Sequence, residues 1–275
     1  MDTGFFKSMI NIGWAAKHLL IATKVLPEPC RRLRTAVCLM KAGDLMGPGL
    51  GKMSLLEGHH SDGGWRDVEE TVWALAFHDI TTSWTQFSAS LRDDGIAWLR
   101  NERTNKGAWG RSSRDLPRIP VTSWVITLLP ELADEKCTEW LETEWIKDVS
   151  AETKLTYKGA LTLKAFASLG VKYKNPDLIS KTVDYLIKEQ NEDGGFGPWK
   201  GHPVGSEPWS TGIALIGLTA WPELLRPETV ELALSWLARV QLPNGLWPCH
   251  YIEEGSAYCY WGAVEGMKYL KRIGR

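Results

Sequence analysis

QNEDGGF at residues 190–196 and QLPNGLW at residues 241–247 share one pattern: Gln, three residues, Gly, one residue, aromatic. RTNKGAW (103–109) and HSDGGW (60–65) are degenerate copies. The aromatics fall at Trp65, Trp109, Phe196 and Trp247, with gaps of 44, 87 and 51 residues, the middle gap being about two periods. A fixed period of this size is the signature of a repeat architecture. Gly gives each turn its backbone freedom, and the Gln and the aromatic can tie one repeat to the next.

Two further series frame these turns. An aromatic-Leu pair precedes them at Trp98-Leu99, Tyr185-Leu186 and Trp236-Leu237. Trp140-Leu141 falls at the interval expected for a repeat whose turn has decayed. After the turns come TVWAL at Thr71, TSWVI at Thr122, TYKGA at Thr156, TGIAL at Thr211 and CYWGA at Cys259, with TAVCL at Thr35 as a sixth member. Small and apolar residues dominate this second series, as expected for closely packed helices buried on most sides. The aromatic-Leu segments carry more charge and fit an outer layer with one wet face. Each repeat therefore reads as outer helix, Gly-rich turn, inner helix. Six crowded inner helices without evident polar end caps favour closure into a ring over an open solenoid. The expectation is an all-α chain forming a single (α/α)6 toroid over residues 1–275, with the N-terminal ~25 residues a helix closing or flanking the ring.

The totals narrow the function. The formal net charge is -1, which argues against a nucleic-acid footprint or an anionic membrane surface. Fifteen Trp outnumber Tyr and Phe together, and such rings fill cores or line pockets for apolar and cationic ligands. Cys30, Cys38, Cys137, Cys249 and Cys259 are odd in number and contain no CxxC, which fits a reducing compartment. No leader pattern and no apolar run of membrane-spanning length is present, so the expected location is cytoplasmic. Oligomeric state is left open.

DVEET at residues 67–71 begins one of the inner helices with three carboxylates. Asp67 is a good N-cap, Glu70 three residues later completes an acidic capping-box pattern, and first-turn carboxylates suit the helix dipole. An N-cap can also face a cavity, so an acid site stays open beside the capping role. Arg31, Arg32 and Arg34 sit unfavourably at a helix start, a hint of an anionic partner such as the Asp67–Glu70 cluster.

Gln-x3-Gly-x-Trp followed by a buried helix resembles the repeat of squalene-hopene and oxidosqualene cyclases, and is similar to that of protein prenyltransferase β subunits. The resemblance covers most of residues 30–270 and implies a site in the middle of the ring, where the inner helices begin. DVEET stands where terpene cyclases of this type carry D-x-D-D-T, although two of its three carboxylates are Glu. By that position the resemblance implies Glu69 as the acid that protonates an alkene or epoxide, tuned by Asp67 and Glu70. Trp73, Trp124, Trp209 and Trp261 would stabilise carbocations with their ring faces, with Tyr157, Tyr258, Arg34 and His60 at the mouth. The implied activity is cyclisation of an isoprenoid or similarly apolar natural product, with no cofactor.

Two alternatives accompany it. One is a toroid enzyme acting on a peptide or other natural-product intermediate. It would be zinc-dependent if Cys249, His250 and His202 supplied three ligands and left a fourth position open, as in lanthipeptide cyclases. The other is a binding cup whose acidic rim of Glu69, Glu70, Glu253 and Glu254 suits an apolar or cationic ligand.

Overall fold

The computed structural model describes residues 10–44, 54–81, 86–151, 154–170, 175 and 177–275. The chain is an α/α toroid, and among the described residues there is no strand. Six inner helices are α2 (Pro29–Ala42), α3 (Val68–Ile80), α5 (Ile119–Leu128), α7 (Thr156–Leu169), α9 (Pro208–Leu218) and α11 (Ile252–Arg272). Each packs on the next, and α11 packs on α2, which closes the ring. The outer layer holds α1 (Ile12–Lys24), α4 (Gln86–Asn101), α6 (Glu135–Val149), α8 (Asp177–Glu189) and α10 (Pro227–Val240), with a helical turn at residues 54–57 before α3. Helix α1 lies against α2 and α11, while residues 1–9 lie outside the described residues.

Small residues set the closeness of the inner ring. A Cβ added to Gly212 on α9 would lie 2.7 Å from the Tyr258 carbonyl oxygen, and one on Gly262 of α11 would lie 2.3 Å from the Gly212 oxygen. The two backbones touch, so side chains there have no space. This is why TGIAL and its relatives are small and buried all round.

The turns explain the period. The backbone N–H of the turn aromatic donates to a hydroxyl in the first turn of the following inner helix. Trp65 reaches Thr71 Oγ1 at 2.9 Å, Trp109 reaches Thr122 Oγ1 at 3.0 Å and Phe196 reaches Thr211 Oγ1 at 2.9 Å. The indole N–H runs back to the outer helix: Trp109 Nε1 to the Leu99 carbonyl at 2.8 Å and Trp247 Nε1 to the Leu237 carbonyl at 2.9 Å. Leu99 and Leu237 of the aromatic-Leu pairs are therefore the receiving ends of these bonds. In the last repeat the receiving hydroxyl is Ser256, 2.8 Å from the Trp247 nitrogen. The expected sixth register position, Cys259, is thus corrected to a residue one turn earlier, because this site needs a hydroxyl acceptor. In the repeat without a Gly-aromatic turn, Thr156 Oγ1 instead donates to the Pro198 carbonyl of the next turn at 2.9 Å.

Gln links neighbouring repeats. Gln190 Nε2 donates to the Gly194 carbonyl at 2.8 Å and to the Thr229 carbonyl of α10 at 2.9 Å. Gln241 Nε2 donates to the Gly245 carbonyl at 2.8 Å, and its Oε1 accepts from the Asn11 backbone N–H at 2.9 Å. Asn11 is the N-cap of α1, so this Gln joins the last turn to α1. In the degenerate copy Arg103 does the same work, with Nε on the Gly107 carbonyl at 2.8 Å and Nη1 on Asp134, the N-cap of α6, at 2.7 Å.

Candidate functional site

The inner helices begin at one end of the ring, and the charged residues meet there. Asp67 is the N-cap of α3 and accepts the Glu70 backbone N–H at 2.9 Å. The capping role of DVEET is therefore present, and the same carboxylates also enter a charged cluster. Arg34 of α2 is its centre. Arg34 Nη2 lies 3.3 Å from Glu69 Oε1 and 3.8 Å from Glu70 Oε1, while Nη1 bonds to Glu254 of α11. The guanidinium also stands 5.7 Å from the Trp73 ring centroid. The Arg34 side chain is only 11% exposed. Burial alone would lower its pKa, yet the negative groups around it outweigh burial and push it up.

On the other side, Arg111 places Nη1 3.4 Å from Asp67 Oδ2 and Nη2 3.7 Å from Glu69 Oε2. Burial, with Glu254 nearby, raises the Glu70 carboxyl to about 7, and its Oε2 is buried without a hydrogen-bond partner.

Beneath this cluster six aromatic side chains fill the ring centre. Trp73 and Trp124 have centroids 4.8 Å apart, Trp124 stacks on Tyr258 at 5.8 Å, and Trp124 meets Trp261 at 6.2 Å. Tyr157 meets Trp209 at 5.2 Å, and Trp209 meets Tyr258 edge-on at 6.3 Å. Above them lies a cavity of about 650 Å³ walled by Trp124, Trp140, Tyr157, Leu161, Trp209 and Tyr258, with Glu69, Arg111 and Glu254 among its polar residues. A second cavity of about 620 Å³ opens beside it toward α10 and α11, and the two share Trp209 and Glu254.

The expected site residues divide accordingly. Glu69, Trp124, Tyr157, Trp209 and Tyr258 are cavity wall. Trp73 and Trp261 were expected to line the cavity, but they are 0% and 2% exposed and lie in neither wall. They are packing beneath it, because rings from facing helices meet across a narrow ring centre. Asp67, Glu70 and Arg34 stand behind Glu69 rather than in the wall. His60 is exposed on the turn, where its N–H bonds the Gly64 carbonyl, and it lines neither cavity. Cys249 and His250 line the second cavity, whereas His202 packs against Trp199 at 4.1 Å. Among the described residues no three His, Cys, Asp or Glu side chains group as a metal site, so the zinc set is not assembled.

Arg111 is a site residue that the sequence did not single out. It follows Trp109 by two positions as Asp67 follows Trp65, so the repeat register itself marks the pair.

Known proteins bear on this geometry. No family model matches the chain. Protostadienol synthase A of Arthroderma gypseum is 26% identical over 137 residues, covering 44% of this chain and 18% of that protein. Lanosterol synthase of Pneumocystis carinii is 30% identical over 110 residues, covering 36% of this chain and 15% of that protein. The chain thus spans less than a fifth of either curated relative. Type II terpene cyclase MstE from Scytonema, in complex with its substrate geranylgeranyl dihydroxybenzoate, superposes with a TM-score of 0.76 at 15% identity, covering 98% of both chains. The fold is that of the type II terpene cyclases. A possible GH105-family member from Salmonella enterica also superposes, with a TM-score of 0.66 at 13% identity over 98% of this chain and 95% of that one. The terpene-cyclase-type toroid is therefore shared beyond the cyclases, and activity must be argued from the site. Among the described residues no helix is long and apolar enough to cross a membrane.

Proposed function

We propose that this chain is a small type II terpene-cyclase-like enzyme that cyclises an isoprenoid-bearing substrate by protonation in the larger cavity. The observation that carries this is the juxtaposition of the DVEET carboxylates with a wall of Trp124, Trp209, Tyr157 and Tyr258. Protonation of an alkene or epoxide needs an acid at the wall and ring faces beside the developing cation. Glu69 is the member of DVEET in the wall, and it takes the position of the acid in the related motif.

Glu70 is the neighbour of Glu69 on Arg34. It shares Arg34 Nη2 with Glu69, and its carboxyl is raised to about 7. Arg34 fixes both carboxylates and Glu254 in one place, so the acid is held against a rigid ring rather than a mobile loop. The substrate class follows from the wall. Its rings and Leu161 suit a prenyl chain, and Arg111, Arg118 and Lys158 at its edge suit a polar head.

The test is turnover of geranylgeranyl dihydroxybenzoate and of simpler polyprenyl compounds, with products separated as isomers of unchanged mass. Removing a general acid costs typically about 10²–10⁴-fold in rate. Glu69→Gln should lose activity on that scale while retaining the fold. Unchanged turnover in Glu69→Gln defeats the assignment of the acid. Binding without conversion by the unaltered protein moves the chain to the binding-cup reading.

A further inference from the structure

Of the five cysteines, Cys30, Cys38, Cys137 and Cys259 are buried, and Cys249 alone is partly exposed. Cys249 sits in the wall of the second cavity, on the strand of chain that leads into α11. Its side chain lies directly on α11 at Gly255. A Cβ built there would stand 2.3 Å from Cys249 Cβ and 2.4 Å from Cys249 Sγ. Gly255 therefore leaves the space that the sulfur occupies.

Cys259 is one helical turn beyond Gly255 on the same face of α11. Helical side chains lean toward the helix N-terminus, so the Cys259 sulfur leans over Gly255 and onto Cys249. After burial, the neighbouring Cys249 side chain is the next cause that raises the Cys259 thiol. One is reachable from the cavity and the other is enclosed, which is the arrangement of an attacking thiol and a resolving thiol.

We propose that Cys249 and Cys259 form an oxidisable pair that closes to an intramolecular disulfide when a small disulfide such as oxidised glutathione enters the second cavity. The Cys249 thiolate attacks one glutathione sulfur, the glutathione S–S bond breaks, and one reduced glutathione leaves. Cys259 then loses its proton and attacks the Cys249 sulfur of the mixed disulfide, and the second reduced glutathione leaves. The balance is one glutathione disulfide reduced and one protein disulfide formed. Burial pushes the Cys259 thiol well up, so it attacks once its proton has left.

The bond would tie residues 248–251 to α11 across the turn that carries Glu253 and Glu254. These carboxylates hold Arg31 and Arg34, so oxidation acts on the wall shared by the two cavities. This inference does not depend on the cyclase activity.

The experiment is incubation of the folded protein with oxidised glutathione, alkylation of the remaining thiols in denaturant, and intact and peptide mass analysis. The expected product is a protein two hydrogens lighter, with Cys249 and Cys259 in one linked peptide and no retained glutathione. Cys259→Ala should instead hold one glutathione stably on Cys249, and Cys249→Ser should take up none. Two results overturn the proposal: a stable glutathione adduct on Cys249 of the unaltered protein, or five alkylated cysteines after exposure to the oxidant. The Cys249→Ser variant replaces a partly exposed residue, so its folding keeps the test interpretable if Cys259→Ala is unstable.

Discussion

Arg34 Nη2 meets Glu69 Oε1 at 3.3 Å, joining the second turn of α2 to the first turn of α3 at the mouth of the ring. The same guanidinium holds Glu70 and Glu254, so one buried cation compensates three carboxylates from two helices. Breaking such a buried set by removing one partner is destabilising because the other charges stay behind. Arg34→Met should cost roughly 3–5 kcal/mol in urea unfolding at pH 7. Adding Glu254→Gln should restore part of that loss, since it removes one uncompensated charge. Strictly additive losses in the double variant would show that Arg34 acts through packing alone.

Glu70 gives the fold a pH dependence with a definite sign. Its carboxyl is raised from the ordinary 4.5 to about 7 in the folded state, by burial first and by Glu254 second. Between those values the folded chain binds more protons than the unfolded chain, so stability falls as pH rises. The penalty is absent below the unfolded value and fully developed above about 7. At 1.36 kcal/mol per pKa unit it is on the order of 3 kcal/mol at most. Glu70→Gln should therefore stabilise the protein at pH 8 and leave it nearly unchanged at pH 4. Thermal unfolding of both proteins across that range measures the difference. A gap that does not vary with pH would mean that Glu70 titrates alike in the folded and unfolded chains.

The turn glycines differ in what they can tolerate. Gly194 has φ +92°, and a Cβ there would lie 2.6 Å from the Leu232 carbonyl oxygen of α10. Gly170 also has positive φ, +59°, yet nothing lies within 4 Å of its added Cβ. Gly170→Ala should cost only the left-handed backbone term, about 1–2 kcal/mol. Gly194→Ala adds a backbone collision to that term and should exceed it by at least about 1–3 kcal/mol. Equal destabilisation of the two variants would mean that α10 moves aside freely.

The period was legible because each turn carries its own chemistry in five or six adjacent residues. Gly, the aromatic and the Gln are needed locally, so they appear in the sequence at fixed offsets. The register of the last repeat was not, because Ser256 and Cys259 both begin small, apolar segments and only the hydroxyl bond to Trp247 separates them. Arg103 likewise hides a Gln-like role behind a different residue type, since its Nε presents one N–H to the Gly107 carbonyl as the amide would. The pairing of Arg34 with Glu254 joins residues 220 positions apart and rests on ring closure. Whether Trp73 and Trp261 line or fill the centre depends on helix spacing, which composition does not contain.

Ring closure itself has a local seam that can be tested. Gln241 accepts the Asn11 backbone N–H at 2.9 Å and donates to the Gly245 carbonyl at 2.8 Å, which fastens α1 onto the turn before α11. Gln190 makes the equivalent link between its own turn and Thr229 of α10. Each Gln→Ala substitution strands turn and helix-start groups, at about 1–3 kcal/mol for a polar group left unpaired. The location of the effect should differ. Gln190→Ala loosens a link inside the ring, where α10 remains packed on both α9 and α11. Gln241→Ala loosens the link to α1, so α1 should lose amide-exchange protection ahead of the rest of the ring. Uniform loss of protection along the chain in Gln241→Ala would mean that α1 and the inner helices open as one unit.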